Sequence, residues 1–228
     1  FRAGYRVLEC DFHAHTRFSD GLLSPFDIVL QARRRGLDAL AVTEHNLAFP
    51  GQMARWFSRR VGGPTILVGE EITTNRWHLI AVGLTERVHA GAPLRTTIAA
   101  VHAQGGVAIA AHPVRRYWSR FDAVVDQLDG TEVMHPLAYG PGGPGGWRWE
   151  DIRRFYERAL ENGRRLTAVG SSDYHFFSPL GVTRTLVFAE RDDEAAILDA
   201  LRKGRTVVRD LAGRDYGDPA LVEALARE

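Results

Sequence analysis

The feature that most constrains this chain is where its histidines fall. Short apolar runs recur along the sequence, and a histidine or an acid follows nearly every one. "YRVLECDF" (5–12) leads into His13 and His15, "LDALAVT" (37–43) into His45, and "TILVG" (65–69) into Glu70 and Glu71. "VAIAA" (107–111) leads into His112, "TEVM" (131–134) into His135, and "LTAVGSS" (166–172) into Asp173 and His175. "HLIAVG" (78–83) instead opens on His78. Seven of the nine histidines thus lie at strand boundaries, with His89 and His102 the exceptions.

Helical patterns separate these runs. Ser24 suits an N-cap, Pro25 the first helical position and Gly36 the stop. Ile152, Phe155, Tyr156, Ala159 and Leu160 recur with helical spacing and place a helix over 149–162. Further helices are expected over 52–60, from Thr96 or Thr97 to Gly105, near 121–128 and over 193–203. Strands alternating with helices argue for a parallel sheet with helical crossovers. At least seven such strands point to a closed or nearly closed barrel, with an open doubly wound sheet as the alternative. In a parallel barrel the C-terminal strand ends meet at one mouth, where active sites form. The strand-end acids and histidines would meet there. In His13-x-His15 and Asp173-x-His175, side chains two apart on an extended segment share one face.

The composition fits this reading. The chain has 228 residues, 45% hydrophobic, which suits a single domain spanning 1–228 with a sizeable core. A net charge of +1 gives no overall pull toward nucleic acid or membrane. Cys10 is the only cysteine, so no internal disulfide forms. No apolar run reaches the ~18 residues of a membrane span. The chain opens on Phe1 rather than Met, so an upstream signal or anchor is compatible with it, and location and oligomeric state stay open. The Gly/Pro stretch "YGPGGPGGW" (139–147) reads as a surface loop or lid.

Imidazole and carboxylate ligands without a thiolate suit Zn, Mn or Fe as divalent ions. Nine candidate ligands exceed the needs of one tetrahedral ion, so two or three ions sharing a bridging carboxylate are expected. Such clusters activate water and clamp the oxygens of a phosphoryl group.

The blocks "DFHAHTRFSDG", "GLDALAVTEHN", "GEEITT" with a downstream His, "AIAAHP" and "GSSDYH", in that order, resemble the polymerase and histidinol phosphatase (PHP) family of metal-dependent hydrolases. The resemblance runs from Cys10 to His175, and more loosely through "GRTVV" near the end. It implies a distorted seven-stranded (β/α)7 TIM-like barrel with the metal site at the C-terminal strand ends. It also implies ligand sets. His13, His15, Glu71 and Asp173 would hold one ion, and Glu71 would bridge to a second held by His78 and His112. Asp20, His45 and His175 would hold a third. Asp20 stands where some members have histidine, which leaves two ions as the alternative. Glu71 rather than Glu70 is the implied bridging and water-activating residue, because the Ile72-Thr73 pair follows it.

The implied activity is a phosphoesterase acting through a metal-bridging hydroxide on a small, phosphorylated substrate. Arg17, Arg115 and Arg184 lie beside ligand blocks or the last strand turn and are candidates for binding phosphate oxygens. His135 is a candidate for substrate contact or proton transfer. The alternatives are a carbamate or carboxyl ester hydrolase on the same metals, and a non-catalytic PHP domain. The latter expects lost ligands, whereas each motif position here holds a residue able to bind metal.

Overall fold

The computed structural model describes residues 2–136 and 148–226, and the Gly/Pro stretch 139–147 lies outside them. Along the chain run β1 (Arg6–Asp11), α1 (Pro25–Arg34), β2 (Ala39–Val42), α2 (Phe49–Val61), β3 (Thr65–Thr73), β4 (His78–Val82), α3 (Leu94–Ala103) and β5 (Val107–Ala110). Then follow a 3-10 turn (Arg115–Tyr117), α4 (Trp118–Asp122), β6 (Gly130–Met134), α5 (Trp149–Glu161), β7 (Thr167–Gly170) and β8 (Thr185–Ala189). The chain finishes with α6 (Glu194–Arg202), β9 (Thr206–Arg209), β10 (Asp215–Gly217) and α7 (Pro219–Ala226).

Local chemistry explains several boundaries. Ser24 accepts from the Asp27 N–H and Pro25 opens α1. Asp193 caps α6 through the Ala196 N–H. α5 buries Ile152, Phe155, Tyr156 and Ala159 on one face, as their spacing predicts. The helix expected near 121–128 is instead a short α4 that ends at Asp122.

The expected seven-stranded parallel barrel needs correction. Among the described residues ten strands form one mixed sheet, in the order β10-β9-β8-β1-β2-β3-β4-β5-β6-β7. β1, β2 and β3 are parallel, as are β5, β6 and β7, but β4 runs antiparallel to both of its neighbours. The reason is the short connection Thr74–Trp77, long enough for a hairpin and too short for a helical crossover. β8 also runs against β1, and β9 against β8.

The sheet curls into a nearly closed barrel. At the mouth, the extension of β1 meets that of β7: Ala14 pairs in parallel with Tyr174, and the His15 N–H donates to the Tyr174 carbonyl at 2.9 Å. Lower down, threonine hydroxyls join β7 to its neighbours. Thr185 Oγ1 donates to the Gly170 carbonyl at 2.8 Å, and Thr206 Oγ1 to the Ala168 carbonyl at 2.8 Å. Leu8, Cys10, Ala41, Leu67, Ile80, Ile109 and Val169 cluster with Ile197 and Leu201 of α6. A second cluster joins α1 and α2 to the first strands, and a third joins α3 and α5 to the later ones. No helix among the described residues is long and apolar enough to cross a membrane.

Candidate metal centre

The parallel strands deliver their C-terminal ends to the mouth, and the antiparallel β4 delivers its N-terminal end there. His78, the first residue of β4, therefore joins residues that follow β1, β2, β5 and β7. His13, His15, Glu71, His112 and Asp173 are all buried, and His45, His78 and His175 are partly so.

Glu71 stands at the centre. Its Oε1 lies 2.8 Å from His78 Nδ1 and 3.0 Å from His112 Nε2. Its Oε2 lies 2.8 Å from His45 Nδ1 and 3.5 Å from Nε2 of both His13 and His15. Asp173 adds a second buried carboxylate. Its Oδ1 is 3.1 Å from Nε2 of His13 and of His15, and its Oδ2 is 2.8 Å from His135 Nε2. Asp20 completes the outer side, with Oδ2 at 3.3 Å from His45 Nε2 and 3.2 Å from His175 Nε2. Ligand atoms of four sets approach one another within 4.8 Å: His15, Asp20, His45 and His175; His13, His15 and Glu71; His13, His112 and Asp173; and Glu71, His78 and His112.

The donor set suits divalent cations. Nε2 of His13 and Nδ1 of His15 are buried and make no hydrogen bond among the described residues. A buried nitrogen left without a partner is costly unless something else takes its lone pair. Imidazole nitrogens converging with two carboxylates offer that arrangement to Zn, Mn or Fe. Cys10 takes no part, since its Sγ donates to the Leu8 carbonyl.

The charges are consistent with this. Burial pushes Glu71 and Asp173 upward, but the charge on His13 and hydrogen bonds from neighbouring histidines outweigh it and hold both well below the usual carboxylate range. Burial opposes protonation of His45, yet the Asp20 and Glu71 carboxylates raise it to about 10. Without a cation, protonated histidines would have to balance these carboxylates.

Three further buried acids support the cluster. Glu132 lies inside β6, with Oε1 at 3.0 Å from His13 Nδ1. It also accepts from the Ser171 hydroxyl and the His112 N–H. Glu44 accepts from the Thr16 N–H at 2.6 Å and from the Ser19 hydroxyl, which holds the loop that carries Asp20. Asp11 accepts from the N–H groups of Ser172 (3.0 Å) and Gly181 (2.9 Å), which ties β1 to the segment carrying Asp173. A charged residue inside a strand expected to be buried, as in "TEVM", was the available signal for Glu132. Gly21 is required by close approach: a Cβ there would stand 2.3 Å from the His15 carbonyl oxygen. His112 and Asp173 sit at φ of 25° and 43°, a strained conformation for residues other than glycine that is common at functional sites.

The anion-binding candidates divide. Arg17 is exposed on the loop between His15 and Asp20, and its side chain has no partner among the described residues. Arg115 is 75% exposed and faces Asp151, with Nε 3.4 Å from Oδ1, rather than the histidine cluster. Arg184 does not reach the centre. Its guanidinium pairs with Glu9 and donates to the carbonyls of Gly181 and Arg35, both at 2.7 Å. His135 is buried against Asp173, which leaves it within the cluster rather than at its rim. Glu70 points away, with Oε1 accepting the Val88 N–H at 2.6 Å.

Comparison with known proteins agrees with this geometry. A family model described as PHP-associated matches residues 157–206. The solved structure of a two-domain protein from Bacteroides vulgatus, containing a predicted PHP-like metal-dependent phosphoesterase, superposes with a TM-score of 0.71 at 26% identity. The match covers 91% of this chain and 66% of that one. The chain is similar to the PHP family in sequence and in fold. It spans just under two thirds of that two-domain relative. An uncharacterized protein of Methanocaldococcus jannaschii is 29% identical over 141 residues, covering 56% of this chain and 82% of the relative. A lesion-specific endonuclease from Pyrococcus furiosus shares the fold at a TM-score of 0.57 and 11% identity, across 89% of this chain and 58% of its own.

Proposed function

We propose that this protein is a metal-dependent phosphoesterase, with Glu71 as the bridging carboxylate of its centre. The observation that carries this is the division of Glu71's oxygens: Oε1 faces His78 and His112, and Oε2 faces His13, His15 and His45. A carboxylate so placed suits two cations. His13, His15, Glu71 and Asp173 would hold one, and Glu71, His78 and His112 the second. Asp20, His45 and His175 would hold a third. When bound, such ions supply Lewis acidity: they lower the pKa of water and neutralise charge on phosphoryl oxygens.

The chain's own residues do the rest. The His135 hydrogen bond to Asp173 Oδ2 leaves Oδ1 turned toward His13 and His15. Glu132 holds His13 by Nδ1, so Nε2 points into the cluster. The strand ends fix these groups before substrate arrives, which removes reorganisation from the reaction. Arg17, free at the rim, is placed to take a phosphoryl oxygen through charge-assisted hydrogen bonds. The Bacteroides relative supports the phosphoester reading by name, and the endonuclease neighbour puts nucleic-acid phosphodiesters among the substrates to try.

The test is a panel of phosphomonoesters, phosphodiesters, nucleotides and carboxyl esters, assayed with Mn²⁺, Zn²⁺ and Fe²⁺ after metal removal. Phosphoester turnover that needs added metal and is inhibited competitively by inorganic phosphate is the expected result. Turnover of carboxyl esters alone, with no phosphate inhibition, would overturn the reading.

A further inference from the structure

A cleft of about 640 Å³ lies between the β3–β4 turn, the start of α3 and α4, lined by none of the residues of the metal centre, and nothing in the proposed chemistry uses it. Arg76, Arg95 and Arg120 line it, with Asn75 and Ser119 as neutral donors, and no carboxylate is among its lining residues. Arg76 and Arg120 make no salt bridge among the described residues, and Arg95 is 3.8 Å from Asp126. Three arginines come from three separate segments: the β3–β4 turn, the start of α3 and the middle of the short α4.

Two segments that line the cleft continue directly to the centre. Trp77 lines it, and the next residue is His78. Ser119 and Arg120 follow Tyr117, whose ring stacks on His78 with centroids 5.4 Å apart. The turn that carries Arg76 is also fixed in place. Thr74 Oγ1 accepts from the N–H groups of Arg76 and Trp77, both at 3.1 Å, and donates to the Trp77 carbonyl at 2.8 Å. Guanidinium forks match phosphate oxygens, and a concave surface of one sign concentrates anions. The first turn of α3 lies along the same cleft and adds the positive end of its dipole.

We propose that this cleft is a second phosphate subsite, which holds a remote phosphate of the substrate attacked at the metal centre. The proposal rests on the phosphoester reading above and narrows it to substrates with more than one phosphate. A single-phosphate compound would occupy the centre alone.

The test compares holoenzyme with the double variant Arg76→Ala/Arg120→Ala. The substrates are p-nitrophenyl phosphate and a four-nucleotide single strand, and binding of the strand and of tripolyphosphate is followed by calorimetry. The expected loss in kcat/KM for the strand is about tenfold per arginine, ~1.4 kcal/mol each, with less than about twofold change for p-nitrophenyl phosphate. The Arg76→Lys/Arg120→Lys variant should recover part of the loss. Equal losses on both substrates, or none on the strand, would overturn the proposal. Loss of tripolyphosphate binding with unchanged strand kinetics would also overturn it, by making the cleft a site for a free anion. If neither substrate is turned over, the phosphoesterase reading falls. The subsite is then judged by strand binding, which must weaken in the double variant.

Discussion

His78 Nδ1 stands 2.8 Å from Glu71 Oε1 because β4 runs back against β3. Thr73 pairs with His78 in that register, so the first residue of one strand faces the last residue of the other at the mouth. A parallel β4 would have carried His78 to the opposite end of the barrel. The hairpin thus makes Glu71 a carboxylate shared by imidazoles from both halves of the sheet.

Purified protein is expected to carry at least two equivalents of transition metal, and Glu71→Gln is expected to lose most of it. Turnover should fall by more than about 100-fold, the upper range for removal of a partner that only orients a ligand. Glu70→Gln should keep metal and most activity. Burial pushes Glu70 up to about 7, against its bond to the Val88 N–H, so a neutral amide of the same shape is a mild change. Elemental analysis of both variants checks this. A dead Glu70→Gln beside an active Glu71→Gln would shift the bridging role by one residue.

Glu132→Gln should weaken metal binding by about 10- to 100-fold, the usual effect of removing a carboxylate that orients a ligating histidine. The variant keeps the volume of the side chain but weakens the hold on His13 Nδ1. Chelator competition measures the affinity directly, without a substrate. Unchanged affinity would make Glu132 a packing residue.

The legibility of this chain follows from what each residue does locally. His13, His45, His112 and Asp173 follow short apolar strands, and period and position were enough to bring them to one mouth. The direction of β4 was not legible, because a parallel and an antiparallel strand carry the same apolar run. Only the short Thr74–Trp77 connection held that information. Arg184 was misplaced because proximity in sequence to the last strand turn says nothing about which carbonyls a guanidinium meets. β10 and α7 were missed because "RDYG" has no apolar alternation and Pro219–Ala226 is short. Asp11 and Glu132 were hidden within runs read as apolar, where only their burial shows that they must be paired.

Arg184→Ala should cost stability rather than substrate affinity. The side chain joins Glu9 of β1 to the Gly181 and Arg35 carbonyls, and it is partly buried. A loss of about 1 kcal/mol is expected after allowing for solvent screening at Glu9. Denaturant unfolding should show it, with KM for a phosphate substrate unchanged. Arg17→Ala should do the reverse, raising KM by roughly tenfold with little change in the unfolding midpoint.

Asp11→Ala should destabilise by about 3 kcal/mol, since it leaves buried donors without an acceptor. The Ser172 and Gly181 N–H groups and the Ser172 hydroxyl all converge on this carboxylate. Asp11→Asn keeps the acceptor oxygen and should cost less. Equal unfolding midpoints for wild type and the Ala variant would show that the segment 171–181 is held by other contacts.

A pH dependence remote from the metal centre follows from His102. Its Nε2 lies 2.8 Å from Oδ2 of Asp129, which also accepts the Ala108 N–H at 2.7 Å and so fixes the start of β5 to the residue before β6. The hydrogen bond to Asp129 raises His102 above its ordinary value of 6.5, against a smaller opposing effect of burial. A histidine whose folded pKa exceeds its unfolded one stabilises the fold fully below the unfolded pKa. That contribution disappears as pH rises through the folded value. The pair is partly exposed, so at most about 0.5 kcal/mol is expected. His102→Gln should therefore lower stability near pH 5.5 and leave it nearly unchanged near pH 9, read from urea midpoints at both values. A loss of the same size at both pH values would show that the ring acts by packing or by a neutral hydrogen bond, and that its charge contributes nothing to the fold.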